Sequence, residues 1–251
     1  MSITQEPCPS TSVVLLYHRI GAPKLSSLVA GQYVAPALFA SELDYLSTRG
    51  WKSDSLDHIS GTQCVEGGDD RFCVTFDDGY LSVYEHAYPA LAKRNMPATV
   101  YIVADTIGGI NAWDRNAGDQ MEKMMSAEQV REMSDNGFEI GSHTLTHAHL
   151  PMLSDEQLRT EVVDSKHQLE DIIGKEVTSF SYPYGDYDNR VLEAAIAAGY
   201  KNAVSTRLGV IVSGTSLFEI PRVNVRWNAI GPLLMRKINR ARKASGLQVP
   251  K

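Results

Sequence analysis

Six stretches of the chain are near-continuous apolar runs bounded by turn residues: SVVLLYH (12–18), RFCVTF (71–76), ATVYIV (98–103), FEIGS (138–142), TSFSYP (178–183) and NAVS (202–205). Runs of this length without polar alternation predict strands buried on both faces, the condition of a parallel sheet covered by helices. Longer segments of helical pattern separate them. SAEQVREMSDNG pairs Ser126 with Gln129 in capping-box spacing and stops at Gly137, and SDEQLRTEVVDSKHQLEDIIG repeats the device with Ser154, Gln157 and Gly174. PALFASELDYLSTRG opens on a proline and closes on a glycine, and DNRVLEAAIAAG runs to Gly199.

Strand–helix alternation along the whole chain predicts an α/β fold with a mostly parallel sheet. The length suits an irregular (β/α) barrel of seven or eight strands, with an open doubly wound sheet as the alternative. No repeat and no Pro/Ser-rich linker divides the chain, so residues 1–251 are expected to form one catalytic domain, with a flexible N-terminus over 1–12 and a basic C-terminal helix or tail over 228–251. The irregular stretch 104–122 is long enough to act as a lid or binding wall.

Composition adds exclusions. With 43% hydrophobic and 22% charged residues the chain is an ordinary globular one, and a net charge of −6 disfavours a general nucleic-acid binder. Three scattered cysteines, Cys8, Cys64 and Cys73, suggest neither a disulfide framework nor a thiolate zinc site. MSITQEPCPSTS lacks the basic-then-apolar pattern of a signal peptide, and no run approaches the ~20 residues of a membrane span, so a cytoplasmic location is expected. From Arg236 to Lys251 there are six basic residues and no acid, which suits either a solvated last helix or peripheral contact with an anionic inner membrane face.

Chemistry collects at strand ends. His18 ends the first run, Asp77 and Asp78 end the second, His143 and His147 follow FEIGS, and Tyr184 follows TSFSYP. In barrels and open α/β sheets alike, that rim is where active sites form. His143 and His147 are four apart, which on a helical turn would place both imidazoles on one face, able to share a metal. Position 144 is Thr, so no general base travels with the pair, and Asp77 or Asp78 can supply one. Two histidines and a carboxylate form a common hydrolytic zinc shell with a position left for water.

These residues also carry a family resemblance. TFDDGY and SHTLTH resemble the first two motifs of the polysaccharide deacetylases, the NodB-homology group of carbohydrate esterase family 4, and SFSYPYGDYD (179–188) resembles the third. The likeness runs over roughly residues 13–226. It implies an irregular (β/α) barrel and metal-dependent removal of an acetyl group, most often from an N-acetylated sugar. By the same resemblance Asp77 is the catalytic base, and Asp78, His143 and His147 hold one divalent ion, zinc first, with cobalt or nickel as alternatives. The Tyr184 backbone N–H then helps to stabilise the oxyanion.

Two departures stand out. The third motif usually has an arginine that positions the base, where this chain has Ser181; Arg222 in EIPRVNV could approach from another strand instead. The last motif normally supplies a histidine that protonates the leaving amine, yet no histidine follows residue 167. VVLLYH looks like that motif moved to the N-terminus, as in the circularly permuted exopolysaccharide-processing deacetylases, which assigns the acid to His18. Closure of a barrel makes the shift cheap, because its first and last strands are neighbours. Trp113, Tyr182 and Arg222 are the candidate substrate-binding residues, with Asp114 beside Trp113 able to line a sugar site. His149 is expected as a loop contact near the ligand pair.

The expected function is thus de-N-acetylation of a sugar in polysaccharide or surface-glycan biosynthesis, on a small nucleotide-linked or lipid-linked precursor. The alternatives are a deformylase or non-sugar amide or imide hydrolase on the same site, and an inactive glycan-binding relative.

Overall fold

The computed structural model describes residues 10–22, 27–61, 68–116 and 119–249. Cys8, Cys64 and most of the expected flexible N-terminus lie outside the described residues, whereas Thr11 is buried and Ser12 already belongs to a strand.

In chain order the strands are β1 (Ser12–Tyr17), β2 (Arg19–Ile20), β3 (Tyr33–Val34), β4 (Lys52–Ser53), β5 (Arg71–Phe76), β6 (Ala98–Ile102), β7 (Glu139–Ser142), β8 (Ser179–Ser181), β9 (Asn202–Val204) and β10 (Val223–Asn224). The helices are α1 (Pro36–Thr48), α2 (Leu56–Gly61), α3 (Tyr88–Ala92), α4 (Ala112–Asn116), α5 (Ala127–Asp135), α6 (Asp155–Ile173), α7 (Asn189–Ala197) and α8 (Gly231–Ala244). All six apolar runs are strands. Ser126 and Ser154 each accept the backbone N–H of the glutamine three residues on and complete a capping box, so α5 and α6 start where the side chains can satisfy their free amides.

Seven strands follow one path, β10-β1-β5-β6-β7-β8-β9, every pair parallel, and β4 adds to the start of β5. The sheet curls until its edges are bridged. Ile220 donates to Ala203 O and Ser205 donates to Ile220 O, after which Val223 and Asn224 pair with Leu15 and Leu16. The segment running into β10 therefore touches β9 first and β1 next, and the chain forms an irregular (β/α) barrel.

Period-2 alternation sorts the strand residues between two cores. Val13, Leu15, Tyr17, Phe72, Val74 and Phe76 belong to the large core shared with the helices, while Val14, Cys73, Tyr101, Val204 and Ile220 form a smaller inner cluster with Leu56 and Ile59 of α2. Thr75 and Asp77 continue the face of Cys73, so on this strand the inner face turns polar towards its C-terminal end. Because the strands are parallel, those ends share one rim.

On α8, Leu234, Ile238 and Ala241 are buried, and buried Arg242 pairs with Asp70. Among the described residues no helix is long and apolar enough to cross a membrane.

Candidate active site

The Asp pair sits where β5 ends. Asp78 (φ 77°) and Gly79 (φ 87°) are both left-handed, so the chain reverses within two residues and the carboxylates of Asp77 and Asp78 line one pocket instead of facing apart. A Cβ on Gly79 would stand 3.0 Å from Ile102 Cδ1, a second reason for glycine there. Among the described residues five non-glycines have positive φ. Four of them, Asp78, Thr144, His147 and Tyr184, stand at this rim, where backbone strain marks a functional site.

His143 and His147 do not share a helical turn. They lie on the loop after β7, with Thr144 (φ 69°) and His147 (φ 63°) left-handed, and loop curvature rather than helical periodicity makes the imidazoles converge. Buried Glu161 of α6 holds the loop: its carboxylate accepts the N–H groups of Leu145 and Thr146, both at 2.9 Å, and the Thr146 hydroxyl. The Thr144 hydroxyl accepts the His147 N–H.

Asp78, His143 and His147 are all buried, with one ligand atom from each within 4.8 Å of the others. His143 Nε2 and His147 Nε2 lie 3.4 and 3.3 Å from Asp78 Oδ1. In a tetrahedral shell with bonds of about 2.0–2.2 Å, neighbouring donors stand about 3.3–3.6 Å apart, so the set fits a small divalent cation. His143 Nδ1 lies 2.7 Å from Ser181 O, an acceptor that requires the proton on Nδ1 and leaves Nε2 free to ligate. Burial raises the Asp78 carboxyl, but the two imidazoles outweigh it and hold the group well below the usual carboxylate range.

Asp77 is gripped by Arg222. Two hydrogen bonds of 2.7 Å run from the guanidinium to the two carboxylate oxygens, and Ser181 Oγ donates to Asp77 Oδ2 at 3.2 Å. Arg222 also donates to Ser205 O and Thr75 Oγ1. Burial pushes the Asp77 carboxyl up, while Arg222, His143 and His18 pull it down further, and the group lies below its ordinary value. Arg222 is therefore no substrate contact: it is fully buried and spent on Asp77, from the position directly before the strand that closes the barrel. Ser181, standing at the motif arginine's position, joins the same cluster by accepting from Arg222 at 3.1 Å.

The pocket has a volume of about 350 Å³. His18 lines it beside Asp77 and Asp78, with Nδ1 buried and without a partner among the described residues. Burial holds its imidazole below the usual value, with Asp78 and Asp77 opposing. Tyr184 is half exposed at the mouth, its ring stacked on His149 at 3.8 Å and edge-on to His147. Trp113 lines the pocket too, but one face is stacked on His147 at 4.5 Å. Tyr182 does not reach the pocket; it is fully buried, stacked on Tyr187, and donates its hydroxyl to Phe218 O.

Sequence reading missed Glu161 and Arg19. Arg19, directly after His18, is a buried cation paired with Asp114, and its guanidinium lies over the Tyr80 ring at 4.2 Å. The available signals were an acid on the inward face of an amphipathic helix and a charge inside a strand.

The sequence model of the polysaccharide deacetylase family matches residues 65–203. This chain belongs to that family. The matched span holds Asp77, Asp78, His143, His147 and Tyr184 and leaves out His18 and Arg222, so two pocket and base-holding residues of this deacetylase come from outside it. YxkH of Bacillus subtilis (strain 168), named among polysaccharide deacetylases, is 30% identical over 219 residues, 86% of this chain and 72% of its own length. A poly-β-1,6-N-acetyl-D-glucosamine N-deacetylase of Staphylococcus aureus (strain MSSA476) is 26% identical over 172 residues, 65% of this chain, and the match spans 57% of that enzyme's length. The structure of IcaB from Ammonifex degensii superposes with a TM-score of 0.77 at 26% identity, covering 91% of this chain and 97% of that one.

Proposed function

We propose that this deacetylase removes N-acetyl groups from an N-acetylated polysaccharide in a metal-dependent hydrolysis, with zinc as the ion. The observation that carries the reading is the buried Asp78–His143–His147 set beside the arginine-held carboxylate of Asp77. When bound there, the ion supplies Lewis acidity, polarising the acetyl carbonyl and acidifying water. Asp77, kept ionised and fixed in direction by Arg222, takes a proton from the attacking water. The Tyr184 backbone N–H meets the negative charge that develops on the acetyl oxygen. His18 gives a proton to the sugar nitrogen as the C–N bond breaks, leaving acetate and a free amine; a lowered pKa makes its protonated form a stronger acid.

The name of the S. aureus relative supports a polymer of N-acetylglucosamine over a small nucleotide-linked precursor. Arg236, Arg240 and Lys243 are exposed along α8 at helical spacing, a basic face that suits contact with an anionic lipid surface and so a lipid-linked chain.

Metal analysis of the purified protein, paired with acetate release from N-acetylglucosamine oligomers, tests the reading. Bound zinc and acetate release, both lost in His143→Ala, are expected. Metal-free wild type, or formate release in place of acetate, would overturn it.

A further inference from the structure

The pocket wall also contains a carboxylate that the hydrolysis does not use. Asp114, on α4, lines the pocket with its side chain 15% exposed. Three donors converge on one of its oxygens: Arg19, Tyr80 and Asn111 all reach Oδ2. Oδ1 has no partner among the described residues. Among the described residues α4 is held through Oδ2 alone, so the second oxygen is a charged acceptor in a mostly enclosed wall with no described donor to accept from.

The mount of this acceptor is rigid. Arg19 is buried, packs over Tyr80 and follows His18 directly in the chain. Trp113, the residue before Asp114, is stacked on His147. Asp114 is thereby indexed to the proposed acid on one side and to a ligand histidine on the other. A fixed carboxylate so placed reads the position of an O–H donor on whatever occupies the pocket, because a charge-assisted hydrogen bond is both strong and directional.

We propose that Asp114 Oδ1 is a specificity-determining acceptor, taking a hydrogen bond from a hydroxyl of the sugar unit that bears the acetyl group. The inference rests on the reading of the pocket as a deacetylase site. It adds that recognition of the sugar ring, and not only of its acetamide, comes from the irregular insertion. In Asp114→Asn the side-chain oxygen still serves Arg19 and Tyr80, but the amide turned to the pocket can no longer accept.

Binding is measured by calorimetry in the Asp77→Asn protein, whose turnover, about 100-fold or more slower, leaves the oligomer largely intact during the titration. Adding Asp114→Asn is expected to raise the Kd for an N-acetylglucosamine trimer about 10–100-fold, the range for a hydrogen bond to a charged group. Metal content stays as in the single variant, while the thermal midpoint falls because buried Arg19 loses its charged partner; a deoxy series separates that structural effect from the lost acceptor. In a series of deoxy trimers, one analogue should cost the Asp77→Asn protein the same factor and cost the double variant nothing further. A Kd within twofold in the double variant, or deoxy penalties equal in both proteins, would overturn the assignment. Acetate release by wild type is followed separately. Its absence together with the expected Kd pattern refutes the hydrolytic reading alone, and failure to bind any trimer refutes both.

Discussion

Arg222 meets Asp77 through two parallel hydrogen bonds of 2.7 Å, although 145 positions separate the two residues in the chain. Both groups are buried, so each is the main compensation for the other's lost hydration. Arg222→Ala is expected to lower stability by about 3–5 kcal/mol, the cost of stranding one charge of a buried pair. Arg222→Lys keeps the charge but not the fork, and should leave acetate release depressed about 100-fold through misdirection of the base. Denaturant titration and steady-state kinetics on the two variants separate these effects. A lysine variant with wild-type turnover would show that the fork is dispensable.

Asp77 and Asp78 are adjacent but should fail differently. Asp78→Asn, His143→Ala and His147→Ala each remove a ligand, and loss of bound metal is expected along with loss of activity. Asp77→Asn should keep the metal and lose about 100-fold or more in turnover, in line with removal of a general base. Metal content by elemental analysis, measured beside acetate release, makes the distinction. Metal loss in Asp77→Asn would reverse the assigned roles.

Glu161 touches none of the reacting groups, yet it holds the loop that carries both histidines. Glu161→Ala removes the acceptor of two partly buried amides, at about 0.5–1.5 kcal/mol each. It should also weaken metal affinity about 10–100-fold, as loss of a ligand-supporting contact does. Competition with a chelator of known affinity reads this directly, and unchanged affinity would show that the loop holds its shape without the clamp.

Stability should fall as pH rises. Burial pushes the Glu42 carboxyl up to about 8, against the Tyr17 hydrogen bond and Lys237. Burial likewise pushes Glu139 up to about 7, against Thr99. From about 4.5 upward the folded state then binds more protons than the unfolded one, until each folded value is passed. Across that window each group removes up to about 1.4 kcal/mol per pH unit. Urea unfolding at about pH 6 and pH 8.5 should show the lower midpoint at the higher pH, and Glu42→Gln should flatten the difference. An equal slope in that variant would mean that Glu42 titrates normally.

Much of this arrangement was legible in the residues. The apolar runs located the strands because both faces of a parallel sheet need apolar side chains, and the capping boxes located α5 and α6 because side chains there answer free amides. The DDG turn and the HxxxH pair pointed to metal chemistry, although the histidines converge through left-handed loop residues and not a helical turn. Tyr182 misled: its place next to the PYG turn implied the pocket, while strand alternation sends it into the core. Trp113 does line the pocket, with one face already covered by His147.

Local residue patterns set which groups stand at the strand ends, since patterning decides where each strand stops and turn chemistry decides how the chain leaves it. Which of those groups meet depends on how the strands close on one another. Closure of the barrel brings β10 beside β1, and that contact delivers Arg222 to Asp77 and makes up for the serine at position 181. No local rule links residues 145 apart; their pairing depends on how far the sheet curls before its edges meet, which the packing of all its strands sets together.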